Sequence, residues 1–308
     1  MGKIELKYAW SDSRMKTLRE CARKYWFNYY ASWEGWLKNA PPRKKQAYLL
    51  KHLSTRHMWP GSIVHNVIEN VIKTYKSTDK WIPLVEAREL GLKQLKLGWK
   101  SSTRKEWKNN PKSVNLYEHY YSGGLSKEET DRCKDIVLDC ITGFYNCRMA
   151  KIIRSLKKDD WVALEDFQSF NMDDGSEVSV KIDCGFKYNG KIYLLDWKTG
   201  KINDSVLDQL TTYSMYALKK GFTKKLSDIV IVPVYLIMVA EIGDSAIVEL
   251  SVTKDKLLSH AATIKNESII LRQSHEHKED EEYFKMTDNL NNCKYCNFKE
   301  ICPGGKRI

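Results

Sequence analysis

The pattern of apolar and polar residues divides the chain into helical and strand-like stretches. In residues 61–76, apolar residues recur at helical spacing, and Val64 and Ile68 belong to one stripe. In residues 161–172, apolar and polar side chains alternate, which is typical of a half-buried strand. The apolar run 229–240 is too short to cross a membrane and predicts a central strand. Across the chain, the pattern predicts helices at 11–32, 61–76, 83–156 (with interruptions), 204–218 and 254–274, a loop or short strand in 40–60, and strands at 161–172, 178–188, 191–197, 229–240 and 246–252.

The order of these elements indicates the fold class. Strands that alternate with helices predict an α/β protein, in which helices cover a central sheet. At 308 residues the chain can bury a large core, and we expect one compact domain. Within it we distinguish an N-terminal helix with a basic loop (1–60), a helical region (61–160), a core of sheet and helices (161–280) and a C-terminal cysteine segment (281–308).

One predicted hairpin carries an unusual set of charges. Asn189-Gly190 is a strong signal for a two-residue turn, because both positions of that turn take positive φ. If the strands pair directly from this turn, Asp183 faces Asp196, and like charges in such a position are destabilising. Lys198 follows Asp196 by two residues and therefore lies on the same face of the strand. The hairpin thus places two carboxylates and an ammonium group together.

Two interpretations fit this arrangement. A divalent cation such as Mg²⁺ or Mn²⁺ takes oxygen ligands and would neutralise the pair of carboxylates. The lysine could then stabilise charge on a phosphate or orient an attacking water. Alternatively, the charges form a salt-bridge cluster on the solvent-exposed face of the hairpin. The apolar pair Leu194-Leu195 before Asp196 favours the metal site, since it indicates that both faces of the strand are partly buried.

Charge narrows the classes of partner. The chain has 51 Lys and Arg residues against 39 Asp and Glu residues, which gives a net charge of +12. Such an excess favours polyanionic partners, either nucleic acid or an acidic membrane surface. No apolar run is long enough to span a membrane, and the N-terminus lacks the apolar core of a signal peptide. We therefore expect an intracellular, cytoplasmic protein that does not insert into a membrane.

Eight cysteines in such a protein are expected to be reduced thiols or metal ligands. Cys293, Cys296 and Cys302 have the spacing C-x2-C-x5-C, which indicates a soft metal centre more than a disulfide. A second group recurs every seven residues on one predicted helical face, and we interpret its members as small core residues rather than ligands: Cys133, Cys140 and Cys147. The early aromatic residues from Tyr25 to Tyr30 are interpreted as core packing, with base stacking as the alternative.

Four short motifs occur in an informative order. They are G-x-x-x-H at 61–65, I-D-C-G at 182–185, L-D-W-K-T-G at 195–200 and Q-x-x-x-Y at 209–213. Together with the cysteines, they resemble the RecB-like branch of the PD-(D/E)XK nuclease superfamily. The resemblance extends from about residue 11 to residue 303, although only the motifs and cysteines carry it. It implies a PD-(D/E)XK core with a mixed central sheet flanked by helices, a helical insertion, and a cysteine cluster that joins the N- and C-terminal segments.

The resemblance assigns roles to residues of the motifs. It implies that His65, Asp183 and Asp196 bind Mg²⁺ or Mn²⁺ with the backbone carbonyl of Trp197. It also implies that Lys198 assists the water that attacks the phosphodiester. Without the resemblance, a lone helical histidine such as His65 would be interpreted as a structural residue.

Three further residues are less clearly assigned. Gln209 and Tyr213 share one helical face and would ordinarily be surface polar residues. In RecB-like nucleases the matching pair lies beside the active site and helps to position the nucleic-acid strand. Glu165 lies in the first predicted strand, where the family often has an acidic residue. Whether Glu165 joins the site is left open.

The cysteines have a counterpart in the same family. Cys21 matches the subgroup in which one early and three late cysteines bind a 4Fe–4S cluster, here with Cys293, Cys296 and Cys302. A four-cysteine Zn²⁺ site is the alternative.

The sequence therefore leads to one principal hypothesis. It is a Mg²⁺- or Mn²⁺-dependent deoxyribonuclease, an exonuclease that acts on single-stranded or free-ended DNA, with a helicase or another recombination, CRISPR or phage-replication protein as a possible associate. The alternative is a non-catalytic nucleic-acid-binding module on the same fold, with an iron–sulfur or zinc site. The intact set of two acids and a lysine favours the enzyme.

Overall fold

Helices and strands occupy most of the chain in this computed structural model, which describes residues 6–202 and 206–308. The helices are α1 (Asp12–Glu20), α2 (Ala22–Trp26), α3 (Pro42–Lys51), α4 (Met58–Thr78), α5 (Leu84–Thr103), α6 (Tyr117–Tyr121), α7 (Lys127–Asn146), α8 (Arg148–Ile153), α9 (Val206–Lys219), α10 (Leu236–Ile242), α11 (Lys254–Glu276) and α12 (Leu290–Lys294). The strands are β1 (Leu53–Ser54), β2 (Asn115–Leu116), β3 (Trp161–Ala163), β4 (Phe167–Asn171), β5 (Glu177–Lys181), β6 (Cys184–Tyr188), β7 (Lys191–Lys198) and β8 (Ile229–Tyr235).

The turn between β6 and β7 sets the register of the central sheet. Asn189 and Gly190 have φ of 48° and 74°, as a two-residue hairpin turn requires. The two strands pair antiparallel from Tyr188 opposite Lys191 to Cys184 opposite Leu195. This confirms the register predicted from the turn.

The central sheet has four strands in the order β3-β6-β7-β8. β3 and β6 pair antiparallel, whereas β7 and β8 pair in parallel. Two short strand pairs lie outside this sheet, with β4 antiparallel to β5 and β1 parallel to β2. The mixed sheet with its many helices confirms the predicted α/β fold class.

Helices cover both faces of the sheet. Successive residues of β7 belong to different apolar clusters. Leu194 packs with residues of α9 and α11, whereas Leu195 packs with residues of α4 and α7. Both leucines are fully buried, which agrees with the expectation that both faces of this strand are covered. Asp196, a neighbour of these leucines, is therefore carried by a strand in the interior of the protein.

Two predicted strands differ from the structure. Residues 229–240 form β8 followed by α10, because a continuous apolar run is buried equally well as strand or helix. Gly143 of α7 lets α10 approach closely, since a Cβ there would lie 2.0 Å from the carbonyl oxygen of Leu236. Residues 246–252 form no strand; they contribute only an isolated bridge from Leu250 to Ile231.

Other predicted elements are interrupted. The alternating stretch 161–172 is divided between β3 and β4, which belong to different sheets. The predicted helix 11–32 breaks at Cys21 and ends in a π-helical turn, and 40–60 contains the helix α3 that the sequence did not indicate. The helix predicted for 204–218 agrees with α9, but its first two residues lie outside the described residues. None of the described helices has the length and apolarity needed to cross a membrane.

Candidate functional site

Three side chains from distant parts of the chain meet at one end of the hairpin. His65 lies on α4, Glu165 lies between β3 and β4, and Asp183 directly precedes β6. The Nδ1 atom of His65 is 3.6 Å from Oε1 of Glu165 and 3.5 Å from Oδ1 of Asp183. One ligand atom from each residue lies within 4.8 Å of the others, so the three can hold a metal ion. Nitrogen and carboxylate oxygen donors of this kind suit Mn²⁺ and, through the oxygens, Mg²⁺.

The backbone explains how Glu165 reaches this group. Its φ is 53°, in the left-handed region, and its N–H donates to the carbonyl oxygen of Ile182 at 2.9 Å. The chain therefore turns at Glu165, between the two parts of the predicted strand 161–172. The side chain is 1% exposed and lies 2.6 Å from Nζ of Lys181. The prediction of a continuous strand over 161–172 missed this turn, although the run of four apolar residues 161–164 before the acid departs from strict alternation.

The second acid, Asp196, lies on β7 and is 3% exposed. Its Oδ2 is 2.5 Å from Nζ of Lys198, which places the acid and the lysine on one face as their spacing requires. Asp183 is tied to the same strand, because its Oδ2 accepts a hydrogen bond of 2.8 Å from the backbone N–H of Trp197. Asp183 is close enough to Asp196 to raise its pKa, but Asp196 is not part of the group of three whose ligand atoms lie within 4.8 Å of one another.

Trp197 itself has a structural role on the other side of β7. Its side chain is 1% exposed, and its ring meets that of Phe144 edge-on with centroids 5.3 Å apart. This packing anchors the strand between Asp196 and Lys198.

A hydrogen-bond network joins α9 to the acid and the lysine. Gln209 accepts from Nζ of Lys198 at 2.9 Å and donates to Oδ1 of Asp196 at 3.0 Å. Its amide also donates to the hydroxyl of Tyr213 at 2.8 Å. That hydroxyl donates in turn to the carbonyl oxygen of Lys181 at 2.7 Å. The two residues singled out in Q-x-x-x-Y therefore fix the positions of Asp196 and Lys198.

Burial and neighbouring charges shift the titration of these groups. Burial raises the pKa of Asp196 to about 6, and the nearby Asp183 carboxylate adds to the effect. Burial lowers the pKa of His65, but hydrogen bonds and charge from Asp183 and Glu165 outweigh it and raise the pKa to about 10. Burial likewise opposes ionisation of Glu165, yet His65 and Lys181 bring its pKa below the usual value. Neighbouring charges therefore shift the pKa values of His65, Glu165 and Asp196 within a largely buried cluster.

Gly61, the first residue of G-x-x-x-H, has a packing reason. A Cβ at Gly61 would lie 3.0 Å from Oγ1 of Thr199, just beyond β7. The missing side chain lets α4 approach the end of that strand, which carries His65 towards the acids. Glu69, one turn after His65, instead contacts Lys73 at 2.6 Å.

The four cysteines predicted to bind a cluster line a small cavity that none of the candidate metal ligands lines. Cys21 reaches it from the N-terminal segment, and Cys293, Cys296 and Cys302 reach it from the C-terminal segment. A Cβ on Gly304 would lie 3.5 Å from Sγ of both Cys293 and Cys302, so this glycine lies against two of the four thiols. Burial raises the pKa of Cys296 to about 11, with Cys302 and Cys21 adding to the shift.

The break in the N-terminal helix orients Cys21. This residue is extended (φ −167°, ψ 116°) and separates α1 from α2. Its Sγ accepts from the backbone N–H of Lys24 at 3.4 Å and so caps α2. The neighbouring Arg23 is 2% exposed and donates to the carbonyl oxygen of Phe284 at 2.8 Å. The N- and C-terminal segments are therefore packed together around the cavity.

The remaining cysteines are buried in the core, which agrees with the interpretation of the three that recur every seven residues. Cys133, Cys140, Cys147 and Cys184 are all at most 3% exposed. Burial raises the pKa of Cys140 to about 12, so this thiol stays protonated and inert. Most of the early aromatic residues are also core: Tyr25 and Phe27 are fully buried and Trp26 and Tyr30 are at most 8% exposed, whereas Tyr29 is half-buried.

The comparison with known families agrees with this geometry. A model of the PD-(D/E)XK nuclease superfamily matches residues 9–303. The chain belongs to this superfamily. Enzymes of the PD-(D/E)XK superfamily are nucleases that use divalent metal ions, and the group of His65, Glu165 and Asp183 is a possible acidic metal site of that kind. A search of curated proteins gave no match.

Proposed function

We propose that this PD-(D/E)XK protein is a Mg²⁺- or Mn²⁺-dependent deoxyribonuclease of the RecB-like type. The observation that carries the proposal is the meeting of His65, Glu165 and Asp183 near the buried Asp196 and its partner Lys198. The alternative, a salt-bridge cluster on the solvent-exposed face of the hairpin, would leave the carboxylates exposed, whereas Asp183 and Asp196 are at most 6% exposed. The net charge of +12 supports a polyanionic substrate.

The metal-binding residues in this proposal are His65, Glu165, Asp183 and Asp196, with the backbone carbonyl of Trp197 as a further donor. Glu165 extends the set expected from the sequence, because its carboxylate is 1% exposed and faces His65. When bound, the metal ion polarises the phosphate and lowers the pKa of a water molecule.

The protein side chains position the reacting groups. Lys198 is 25% exposed, so its ammonium group can reach a phosphate oxygen or an attacking water from its place beside Asp196. Gln209 holds this ammonium group through Oε1 and the carboxylate through Nε2, which keeps the two at a fixed separation. The hydroxyl of Tyr213 accepts a hydrogen bond from Nε2 of Gln209 and so helps to hold this side chain in place. We assign Gln209 and Tyr213 a positioning role rather than one at the reacting atoms.

We further propose that the enzyme acts as an exonuclease on single-stranded or free-ended DNA. The test is to incubate the protein and Mn²⁺ with linear and circular single-stranded DNA of the same sequence, and with duplexes whose ends are free or blocked by hairpins. We expect cleavage of the free-ended substrates alone. Cleavage of the circle would instead identify an endonuclease, and an RNA oligonucleotide of the same sequence tests sugar specificity.

Asp196→Ala protein, purified in the same way, controls for contaminating nuclease. If neither protein cleaves any substrate while both bind DNA, the enzymatic proposal is wrong and a non-catalytic binding module remains. Physical association with a helicase or another recombination, CRISPR or phage-replication protein belongs to the same proposal and requires separate capture experiments.

We also propose that Cys21, Cys293, Cys296 and Cys302 hold a 4Fe–4S cluster with a structural role. The four cysteines line one cavity, and Gly304 lies against the thiols of Cys293 and Cys302, which supports a shared site for the four thiols. Four thiolates suit both an iron–sulfur cluster and Zn²⁺. Elemental analysis of protein purified without oxygen distinguishes them: iron and sulfide support the cluster, whereas stoichiometric zinc without iron supports the alternative.

A further inference from the structure

The most exposed large apolar side chain in the described residues stands beside the candidate active site. Phe167, the first residue of β4, is 82% exposed. It follows Glu165 by two residues, and in the β4–β5 ladder it lies opposite Lys181. Lys181 in turn lies 2.6 Å from Oε2 of Glu165. The aromatic ring is therefore connected through one neighbour to the proposed metal ligands.

The surroundings of Phe167 distinguish it from a protein-docking patch. Its neighbours Asp166 and Lys181 are exposed and charged, and Gln168 is polar, so the ring is not part of a continuous apolar surface. Interfaces between proteins usually present a contiguous apolar patch. A single ring surrounded by polar groups fits a ligand that offers a flat apolar face and a charged edge.

A nucleobase attached to a phosphate has that chemistry. Nζ of Lys181 lies 5.8 Å from the centroid of the Phe167 ring, over one face, and the 82% exposure leaves the rest of the ring accessible. Aromatic side chains stack on bases of any sequence, with basic residues contacting the backbone. Inside a duplex both faces of a base are covered by its neighbours, so only an unpaired or terminal base can take this position.

We propose that Phe167 stacks on an unpaired nucleobase next to the scissile phosphate and thereby selects single-stranded or frayed DNA. This inference rests on the proposed nuclease function and deepens it by naming a residue that determines the substrate class. Phe167 would then be a specificity residue, with no part in metal binding.

The test compares Phe167→Ala, Phe167→Trp and Val85→Ala, the last being an exposed apolar residue (69%) on α5. Binding of a fluorescent single-stranded oligonucleotide is measured in EDTA, which prevents metal-dependent cleavage. We expect Phe167→Ala to weaken binding roughly 5- to 150-fold, in line with one lost base stack. Phe167→Trp and Val85→Ala should bind like the unmodified protein.

A set of oligonucleotides with one abasic position each provides the second measurement. For the unmodified protein, one abasic position should weaken binding by the same factor as Phe167→Ala, and the two changes together should not add. Equal binding by Phe167→Ala and the unmodified protein would overturn the proposal. A concentration-dependent change in oligomeric state on substitution would also overturn it, since Phe167 would then belong to a contact between copies.

This experiment separates the two proposals. If the unmodified protein cleaves DNA and Phe167→Ala cleaves with the same KM for single-stranded DNA, stacking is wrong and the nuclease function stands. If the unmodified protein binds but never cleaves, while Phe167→Ala loses the abasic effect, stacking stands and the nuclease function is wrong.

Discussion

The Nδ1 atom of His65 lies 3.6 Å from Oε1 of Glu165, although one residue is on a long helix and the other is at a bend between two sheets. The left-handed backbone of Glu165 brings its carboxylate to this position. A buried carboxylate is costly unless it is paired, and here His65 and Lys181 pair with it. The bend at Glu165 therefore interrupts the strand and places the carboxylate beside His65.

We predict that Glu165→Gln weakens metal binding. The substitution keeps the size of the side chain but removes its negative charge, so affinity for Mn²⁺ should fall on the order of tenfold or more, by comparison with losses seen around other metal ligands. Isothermal titration with Mn²⁺ measures the effect. Glu69→Gln is the matched control, because Glu69 contacts Lys73 on the same helix as His65 and should leave affinity unchanged. Equal affinity in all three proteins would remove Glu165 from the site.

The pKa of His65 leads to a second prediction. Its raised value of about 10 means that the metal-free protein holds a proton on His65 at pH 7.5. The stabilisation by this imidazolium is fully present below about pH 6.5 and is lost as the pH rises through about 10. A metal ion requires the neutral imidazole, so binding at pH 7.5 should release close to one proton.

Calorimetry in buffers with different ionisation enthalpies measures this proton release. The His65→Asn variant should release no proton on metal binding. The control is His57→Asn, which changes the residue just before α4 and should keep the proton release. Metal binding without proton exchange in the unmodified protein would contradict the assignment of His65 as a ligand.

The sequence was most informative where local chemistry specifies a structure. Asn189-Gly190 allows few conformations, so the turn determined the register, which ends at Cys184 opposite Leu195 and places Asp183 near Asp196. The spacing of Asp196 and Lys198 likewise placed both on one face. Gln209 and Tyr213 followed only from the family resemblance, because their contacts depend on how α9 packs against the sheet.

The wrong predictions share a physical cause. Glu165 was placed in a continuous strand because a single left-handed residue inside a strand-like stretch leaves no clear mark on the pattern of side chains. The helix α10 was missed because apolar runs carry no period that distinguishes strand from helix. Both features are fixed by long-range packing, as with Gly143 against Leu236.

We predict that Asp196→Ala and Lys198→Ala each reduce cleavage about 100-fold or more while DNA binding changes little. In the proposed mechanism Asp196 helps to hold the metal ion and Lys198 contacts the reacting phosphate or water, whereas DNA affinity comes mainly from dispersed basic contacts. Single-turnover cleavage and salt-dependent binding measure the two properties. Full activity of Asp196→Ala in excess Mg²⁺ would rule out this mechanism.

Asp196 also provides a stability prediction. Its pKa in the folded protein is raised to about 6 by burial and by Asp183, so ionisation destabilises the metal-free fold as the pH rises from about 4 through 6. Asp196→Asn should therefore unfold at a higher temperature than the unmodified protein in EDTA at pH 7.5, and the difference should shrink near pH 4. Thermal unfolding followed by circular dichroism tests this. A lower Tm of Asp196→Asn at pH 7.5 would show that the pairing with Lys198 outweighs the burial of the charge.

The last prediction concerns the cysteine cavity. A metal group held by Cys21 and Cys293 would close a loop of nearly the whole chain. By analogy with disulfides, this restricts the unfolded chain and raises the free energy of unfolding by several kcal/mol, on the order of magnitude expected for a long loop. Replacing Cys21, Cys296 or Cys302 by Ser should lower Tm on the order of 5–10 °C, together with a loss of bound iron and visible absorbance.

The matched control is Cys140→Ala, since Cys140 is fully buried but lies away from the cavity. The Cys140→Ala protein should have a slightly lower Tm and should retain its bound iron. The contacts of Arg23 with Phe284 and Glu281 also join the two segments, so the serine variants should remain folded at low temperature. Metal retention by Cys21→Ser would exclude Cys21 as a ligand. Equal loss of Tm in Cys140→Ala and Cys21→Ser would show that packing, rather than a shared metal group, explains the stability of the cavity.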